Sequence, residues 1–323
     1  MKHNLKITLY LIALFFFAQL AGLAVLDQYI DKPVTVETGN VTFKELPNVG
    51  SYQPERPEVE NKSYSFIPII IAVLIGTAIL LTIVKFNARR VWKGWFFVAI
   101  SYVMFIALHP FIERAISFLI NTINLSIMFD LAQYTAILIC VGLAFFKVFR
   151  QNVYVHNFTE LFLYGGLAAI FVDFLNLWSA TILLLLISIY DAIAVWKSKH
   201  MITLANFQTD SKVFAGLFIP YKKPKPSKHL PEAPKPKHSD HKEKKAKNAI
   251  LGGGDIAFPL LFAGAAMKTF GMGAAFVIVV LTTVALALLL LKSRQDKFYP
   301  AMPFISAGCF LGLGIVYLSS FLL

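Results

Sequence analysis

Two aspartates stand inside stretches of chain that are otherwise apolar. Asp191 lies in LLLLISIYDAIAVW (residues 183–196) and Asp255 in ILGGGDIAFPLLFAGAA (residues 250–266). A carboxylate in a membrane span costs roughly 2.5–3.5 kcal/mol at the helix centre and less toward an end, so an ionisable group there marks a candidate functional site. Two carboxyl groups held together cannot both ionise; they share a proton and titrate as one coupled unit. The chemistry open to such a pair is acid–base work, one member taking a proton from water while the protonated member polarises a carbonyl.

Depth and backbone both favour a pair. Asp191 precedes Lys197 by six positions, about 9 Å of helix, and Asp255 follows Lys247 by eight, about 12 Å if that stretch is helical. On consecutive antiparallel spans this sets both acids at similar depth near the cytoplasmic face. Gly252, Gly253 and Gly254 are poor helix, at about 1 kcal/mol each relative to alanine, and they permit close approach of another chain. Non-helical backbone at membrane depth survives only inside protein or beside a wet cavity, so the triplet implies a local opening next to Asp255. A small-residue packing surface describes Gly264, Gly271 and Gly273 better. Just after Lys297, Tyr299-Pro300-Ala301-Met302-Pro303 forms a third irregular feature. Its two prolines remove backbone donors and prevent a regular helix start across Ala301 and Met302.

The rest of the chain must hold these groups in a bilayer. Of 323 residues, 57% are hydrophobic, 15% are charged and 30 are phenylalanine, with a mean hydropathy of +0.67. A soluble core needs less. Apolar stretches of span length read as nine transmembrane helices at residues 7–26, 66–86, 95–122, 130–148, 157–175, 177–196, 250–268, 272–291 and 302–322. The expected class is an all-α polytopic membrane protein, since a β-barrel would show short alternating segments. Pro110, with Asn121, Thr122 and Asn124, interrupts the periodicity of the third and fourth spans. Cys140 and Cys309 sit in separate apolar stretches and imply neither a disulfide framework nor a metal site.

Basic residues set the orientation. Lys2 and Lys6, then Lys85, Arg89, Arg90 and Lys93, then Lys147 and Arg150, then Lys292, Arg294 and Lys297 flank the spans on alternate sides. With a cytoplasmic N-terminus and an outer C-terminus all of them fall on one side. Residues 197–247 hold thirteen lysines against Asp210, Glu232, Asp240 and Glu243, which supplies +9 of the net +12. A cytoplasmic loop touching anionic lipid explains this charge better than nucleic acid does. Its Pro/Lys-rich stretch, 222–248, is expected to be disordered. His238 and His241 within it do not make a metal site. Val213, Phe214, Leu217, Phe218 and Ile219 form a short apolar patch expected at the membrane surface. Three parts result: 1–196 with Asp191, the loop 197–249, and 250–323 with Asp255 and the proline motif. The first span also reads as a cleavable signal peptide, and Asn40-Val41-Thr42 and Asn61-Lys62-Ser63 match glycosylation sequons.

Tyr190-Asp191, Gly252-Gly253-Gly254-Asp255 and Pro300-Ala301-Met302 resemble, in order, the YD, GxGD and PAL motifs of presenilin-like aspartyl proteases, which include signal peptide peptidases. The resemblance runs along essentially the whole chain and is most like the shorter prokaryotic, archaeal members, with Met302 where the family has leucine. It implies an intramembrane aspartic endopeptidase of the cell membrane, acting on transmembrane peptides or proteins. Asp191 and Asp255 would be its catalytic pair, with no cofactor, metal or obligatory accessory subunit, and self-association would remain open. It further implies that a locally unwound substrate strand pairs with the chain before Gly252 and with Pro300–Met302. Tyr190 either orders the pair or lies at the membrane interface.

Two rival readings use the same acids. A proton- or ion-coupled transporter also has buried carboxylates and broken helices, but it favours a midplane site between internal repeats. Prepilin-type peptidases carry GxGD without a proline motif in a ninth span. Neither an HExxH cluster nor a serine nucleophile motif is present in the sequence. His109 reads as a packed residue, and Asp130 and Asp173 lie near outer span ends where hydration lowers the cost of a charge.

Overall fold

Apolar runs of span length become helices because, in hydrocarbon, each backbone polar group must be satisfied within its own segment. The computed structural model describes residues 5–31, 41–49, 52–54, 61–123, 131–150, 152–196, 215–221, 247–293 and 299–322. Among them are α1 (Leu5–Tyr29), α2 (Phe66–Lys85), α3 (Arg89–Ile123), α4 (Leu131–Phe145) continued by a π turn (Phe146–Arg150), α5 (Val153–Phe171) and α6 (Leu177–Trp196). Strands β1 (Gly216–Tyr221) and β2 (Lys247–Gly252) follow, then α7 (Gly254–Phe270), α8 (Met272–Lys292) and α9 (Met302–Leu322). Asp130, Val213, Phe214, His238, His241 and residues 222–246 lie outside the described residues.

Seven of the described helices are long and apolar enough to cross a membrane; α5 and α7 are the two that are not. Helix α7 has only 17 residues, and α5 carries His156, Asn157 and Glu160 in its first half. Helix α5 packs against α1, α3, α7 and β1. Helix α7 packs against α1, α5, α6, α8 and α9, and its Ile256, Leu260, Phe262 and Met267 are buried. At the other extreme α2 buries only Ile69 and Ile83 and presents Ile71, Leu74 and Ile75 outward, the face expected toward acyl chains.

The small-residue packing expected at three glycines holds at one of them. A Cβ on Gly264 would lie 2.7 Å from the Val172 side chain, so α5 and α7 approach closely there. Gly271 instead makes the α7–α8 turn with φ +84°, and Gly273 faces open space. Pro110 does not end α3, which runs through it for 35 residues. The Ile106 carbonyl, four residues before Pro110 and deprived of its helical donor, accepts the Tyr29 hydroxyl at 2.6 Å. At the end of α7, Lys268 donates to the Val172 and Leu175 carbonyls at 2.9 Å each and to that of Asp173. It thereby satisfies acceptors that the end of α5 leaves open.

Two expectations are corrected between α6 and α7. Residues 247–252 are strand, so the seventh helix begins at Gly254 and not at residue 250. The apolar patch around Leu217 is β1, paired antiparallel to β2 from Gly216↔Gly252 to Tyr221↔Lys247. Alternation explains the preference: Leu217, Ala249 and Leu251 are buried while Ile250 is exposed. Helix α5 occupies the outer edge of β1. The Asn157 amide donates to the Phe218 carbonyl at 2.8 Å and accepts the Phe218 N–H at 3.0 Å. The His156 ring nitrogen lies 2.8 Å from the Gly216 carbonyl oxygen.

Candidate active site

Asp191 stands near the end of α6, where α9 begins. Its Oδ2 accepts the Met302 N–H at 3.1 Å, and the Ala301 N–H also donates to this carboxyl. These donors are free because the first N–H groups of a helix have no internal partner. Pro300 and Pro303, on either side, leave Ala301 and Met302 as the two residues whose amides can serve. Met302 is buried and holds this corner against the core.

Asp255 occupies the second position of α7, immediately after β2. Its carboxyl accepts the Gly252 N–H and lies within electrostatic range of Asp191. A Cβ on Gly252 would sit 3.3 Å from Asp255 Oδ2, so the glycine makes room for the side chain to fold back over the strand end. Gly253 donates its N–H to the Ala215 carbonyl at 3.2 Å, prolonging the sheet by one bond. A Cβ on Gly253 would meet the Tyr164 hydroxyl at 2.8 Å. The expected opening beside Asp255 is thus a strand-to-helix junction crowded by α5 on one side. Below it, Gln19 of α1, fully buried, donates to the Ile256 carbonyl at 2.8 Å.

The structure therefore gathers Asp191, Asp255, Gly252, Gly253, Gly254, Pro300, Ala301 and Met302 into one region. Tyr190 differs: it is 45% exposed, on the face of α6 turned from the core. His109 packs on the Phe105 ring at 5.1 Å and meets Glu113 at 3.7 Å within α3. Among the described residues no group of three or more His, Cys, Asp or Glu side chains is placed to hold a metal ion.

Reading the sequence missed a second polar set next to this one. Lys147, counted with Arg150 as a boundary cation, is turned inward by the π turn and is only 3% exposed. It forms a salt bridge with Glu160, which is fully buried in α5. The other Glu160 oxygen accepts the Tyr164 hydroxyl. The energetic test applied to the aspartates would have found Glu160, a lone acid in an apolar run with Tyr164 one turn on.

A helical bundle with exposed apolar faces, one carboxyl group at a strand-to-helix junction and a second on the neighbouring helix defines an integral membrane protein with an embedded acid–base site. The chain belongs to the signal-peptide peptidase, presenilin aspartyl protease family, whose profile matches residues 51–321. It is accordingly an intramembrane aspartic endopeptidase, a hydrolase. Two solved structures of a presenilin family intramembrane aspartate protease, in the C222 and P2 space groups, are similar in fold, each with a TM-score of 0.58 and 18% identity. Each alignment covers 96% of this chain, with 98% of the first solved chain and 96% of the second. No curated protein matches by sequence.

Proposed function

We propose that Asp191 and Asp255 are the catalytic pair with which this protease hydrolyses peptide bonds of transmembrane segments. The observation that carries this reading is main-chain support from both sides. The Ala301 and Met302 amides orient one carboxyl, the Gly252 amide orients the other, and the two feel each other's charge. With one shared proton, the ionised member takes a proton from water, which attacks the scissile carbonyl. The protonated member polarises that carbonyl, and a proton then passes to the leaving amine. No covalent intermediate with the enzyme forms.

The substrate enters extended, because a helical carbonyl is shielded and already hydrogen-bonded. The outer edge of β1 is taken by Asn157, so among the described residues the sheet edge without a neighbouring strand or side-chain bridge is that of β2, which ends at Gly252 beside Asp255. That edge and Pro300–Met302 are the two rails for an unwound strand. Tyr190, being exposed, serves as an interface anchor. In this account the protein spans a prokaryotic, archaeal cell membrane nine times, with the N-terminus and the lysine-rich loop 197–249 inside and the C-terminus outside. Neither 1–196 nor 250–323 is competent alone, since each holds one acid, and no accessory subunit is required.

The test is incubation of purified, reconstituted protein with a transmembrane peptide, with fragments identified by mass. Asp191→Ala and Asp255→Ala are each expected to abolish cutting. Proton uptake into liposomes that vanishes with the same variants, in the absence of any proteolysis, would establish the transporter instead.

A further inference from the structure

Lys147, Glu160 and Tyr164 form a buried chain that the catalytic account above does not use. It starts in the π turn, crosses to α5, and ends with the Tyr164 hydroxyl 2.8 Å from where a Cβ of Gly253 would stand. An ion pair removed from water on both sides carries a desolvation cost that its own attraction offsets only in good geometry. As plain stability such a pair is a poor investment; an apolar pair of similar volume would serve α4 and α5 as well. Its location gives it another use. Tyr164 makes the closest approach to the glycine that separates the end of β2 from the helix start bearing Asp255, nearer than the Ala215 methyl. The tyrosine cannot swing away, since its hydroxyl is bound to a carboxylate that is itself fixed by a cation.

We propose that Tyr164 is a positioning residue of the protease: anchored on the Glu160 side-chain oxygen, it braces Gly253 and so fixes where the Asp255 carboxyl points relative to Asp191. The charged and titratable groups facing this brace are Lys147 from the π turn, His156 and Glu160 from α5, and Asp255 from α7, with Asp191 beyond it on α6. Lys147 neutralises Glu160, so that the Tyr164 hydroxyl donates to a carboxylate close to the catalytic acids without net charge being added there. The brace acts through the hydroxyl's hydrogen bond, and the charge of Glu160 is incidental to it. The inference rests on the assignment of Asp191 and Asp255 as the acid–base pair.

The experiment compares Tyr164→Phe with the double variant Lys147→Met/Glu160→Gln in reconstituted protein. Rate against pH, thermal midpoint, and the infrared band of the protonated carboxyl that Asp255→Asn removes are all recorded. Tyr164→Phe is expected to cleave a transmembrane peptide at least about tenfold more slowly. Its pH profile and its carboxyl band should be displaced, with its thermal midpoint lowered by only about 2–6 °C. The double variant keeps an amide oxygen for the hydroxyl and is expected to stay within about threefold of wild type. Wild-type rate and profile in Tyr164→Phe overturn the proposal, and so does a double variant as slow as Tyr164→Phe. If the wild type cleaves nothing, the protease assignment falls, and the infrared titration then decides the brace by itself. A band displaced by Tyr164→Phe upholds it; an unmoved band overturns it.

Discussion

Removing Lys147 alone should harm the fold more than removing the whole pair. Lys147 and Glu160 are 3% and 0% exposed, and among the described residues the Glu160 carboxylate also accepts the Tyr164 hydroxyl, with the His156 ring within electrostatic range. In Lys147→Met that carboxylate keeps one neutral donor and no counter-charge, a loss of about 3–5 kcal/mol for a buried pair broken on one side. Glu160→Gln strands the ammonium with a comparable cost. In Lys147→Met/Glu160→Gln no charge remains, and stability should return to within about 1 kcal/mol of wild type. For a chain of this size roughly 2 °C accompanies each kcal/mol, so the single variants should melt about 6–10 °C early and the double nearly normally. Thermal unfolding in lipid nanodiscs, followed by tryptophan fluorescence, reads this directly. Single variants as stable as the double would refute the reasoning, because they would show that water or lipid headgroups reach the pair.

Three further outcomes follow from the same contacts. Gly253→Ala drives a methyl to 2.8 Å from the Tyr164 hydroxyl; an overpacking cost of about 1–3 kcal/mol should displace Asp255 and slow cleavage. Adding Tyr164→Phe to it should slow the enzyme no further, which a rate comparison of the three variants checks. Asn157→Ala removes the two side-chain hydrogen bonds to the Phe218 backbone; at about 1 kcal/mol each, hydrogen exchange at the Phe218 amide should quicken about thirtyfold. Tyr29→Phe leaves the Ile106 carbonyl beneath Pro110 without its hydroxyl donor and should cost about 1–3 kcal/mol in thermal unfolding with cleavage little changed.

The helices and the gathering of the site were legible in the sequence because both rest on local energetics. Twenty apolar residues have few stable states in a bilayer, and an acid among them stands out against that background. The glycine triplet and the paired prolines were legible for the same reason, as local violations of helix chemistry. What escaped was non-local. Strands β1 and β2 are separated by a long lysine- and proline-rich stretch, so no tight-turn signal announces the hairpin, and GLFIPY alone reads as an apolar patch. Counting from Lys247 along an assumed helix placed Asp255 at a depth that a strand measures differently. Asp255 still stood out in the sequence, because it is marked by its neighbours Gly252–Gly254 and not by that count. Lys147 escaped because a lysine at a span end has an ordinary explanation; only the π turn shows it facing inward. Pro110 was read as an interruption because Tyr29, 77 positions from the Ile106 carbonyl it caps, cannot be connected to it from sequence.

The central claim is that Asp191 and Asp255 together activate water. Single-turnover cleavage of a transmembrane peptide in ¹⁸O-labelled water, with mass analysis of the fragments, tests it most directly. Wild type should place one ¹⁸O in the new C-terminal carboxyl, and Asp191→Asn and Asp255→Asn should each yield product at below about a thousandth of that rate. Labelled product from either variant at the wild-type rate would contradict the account.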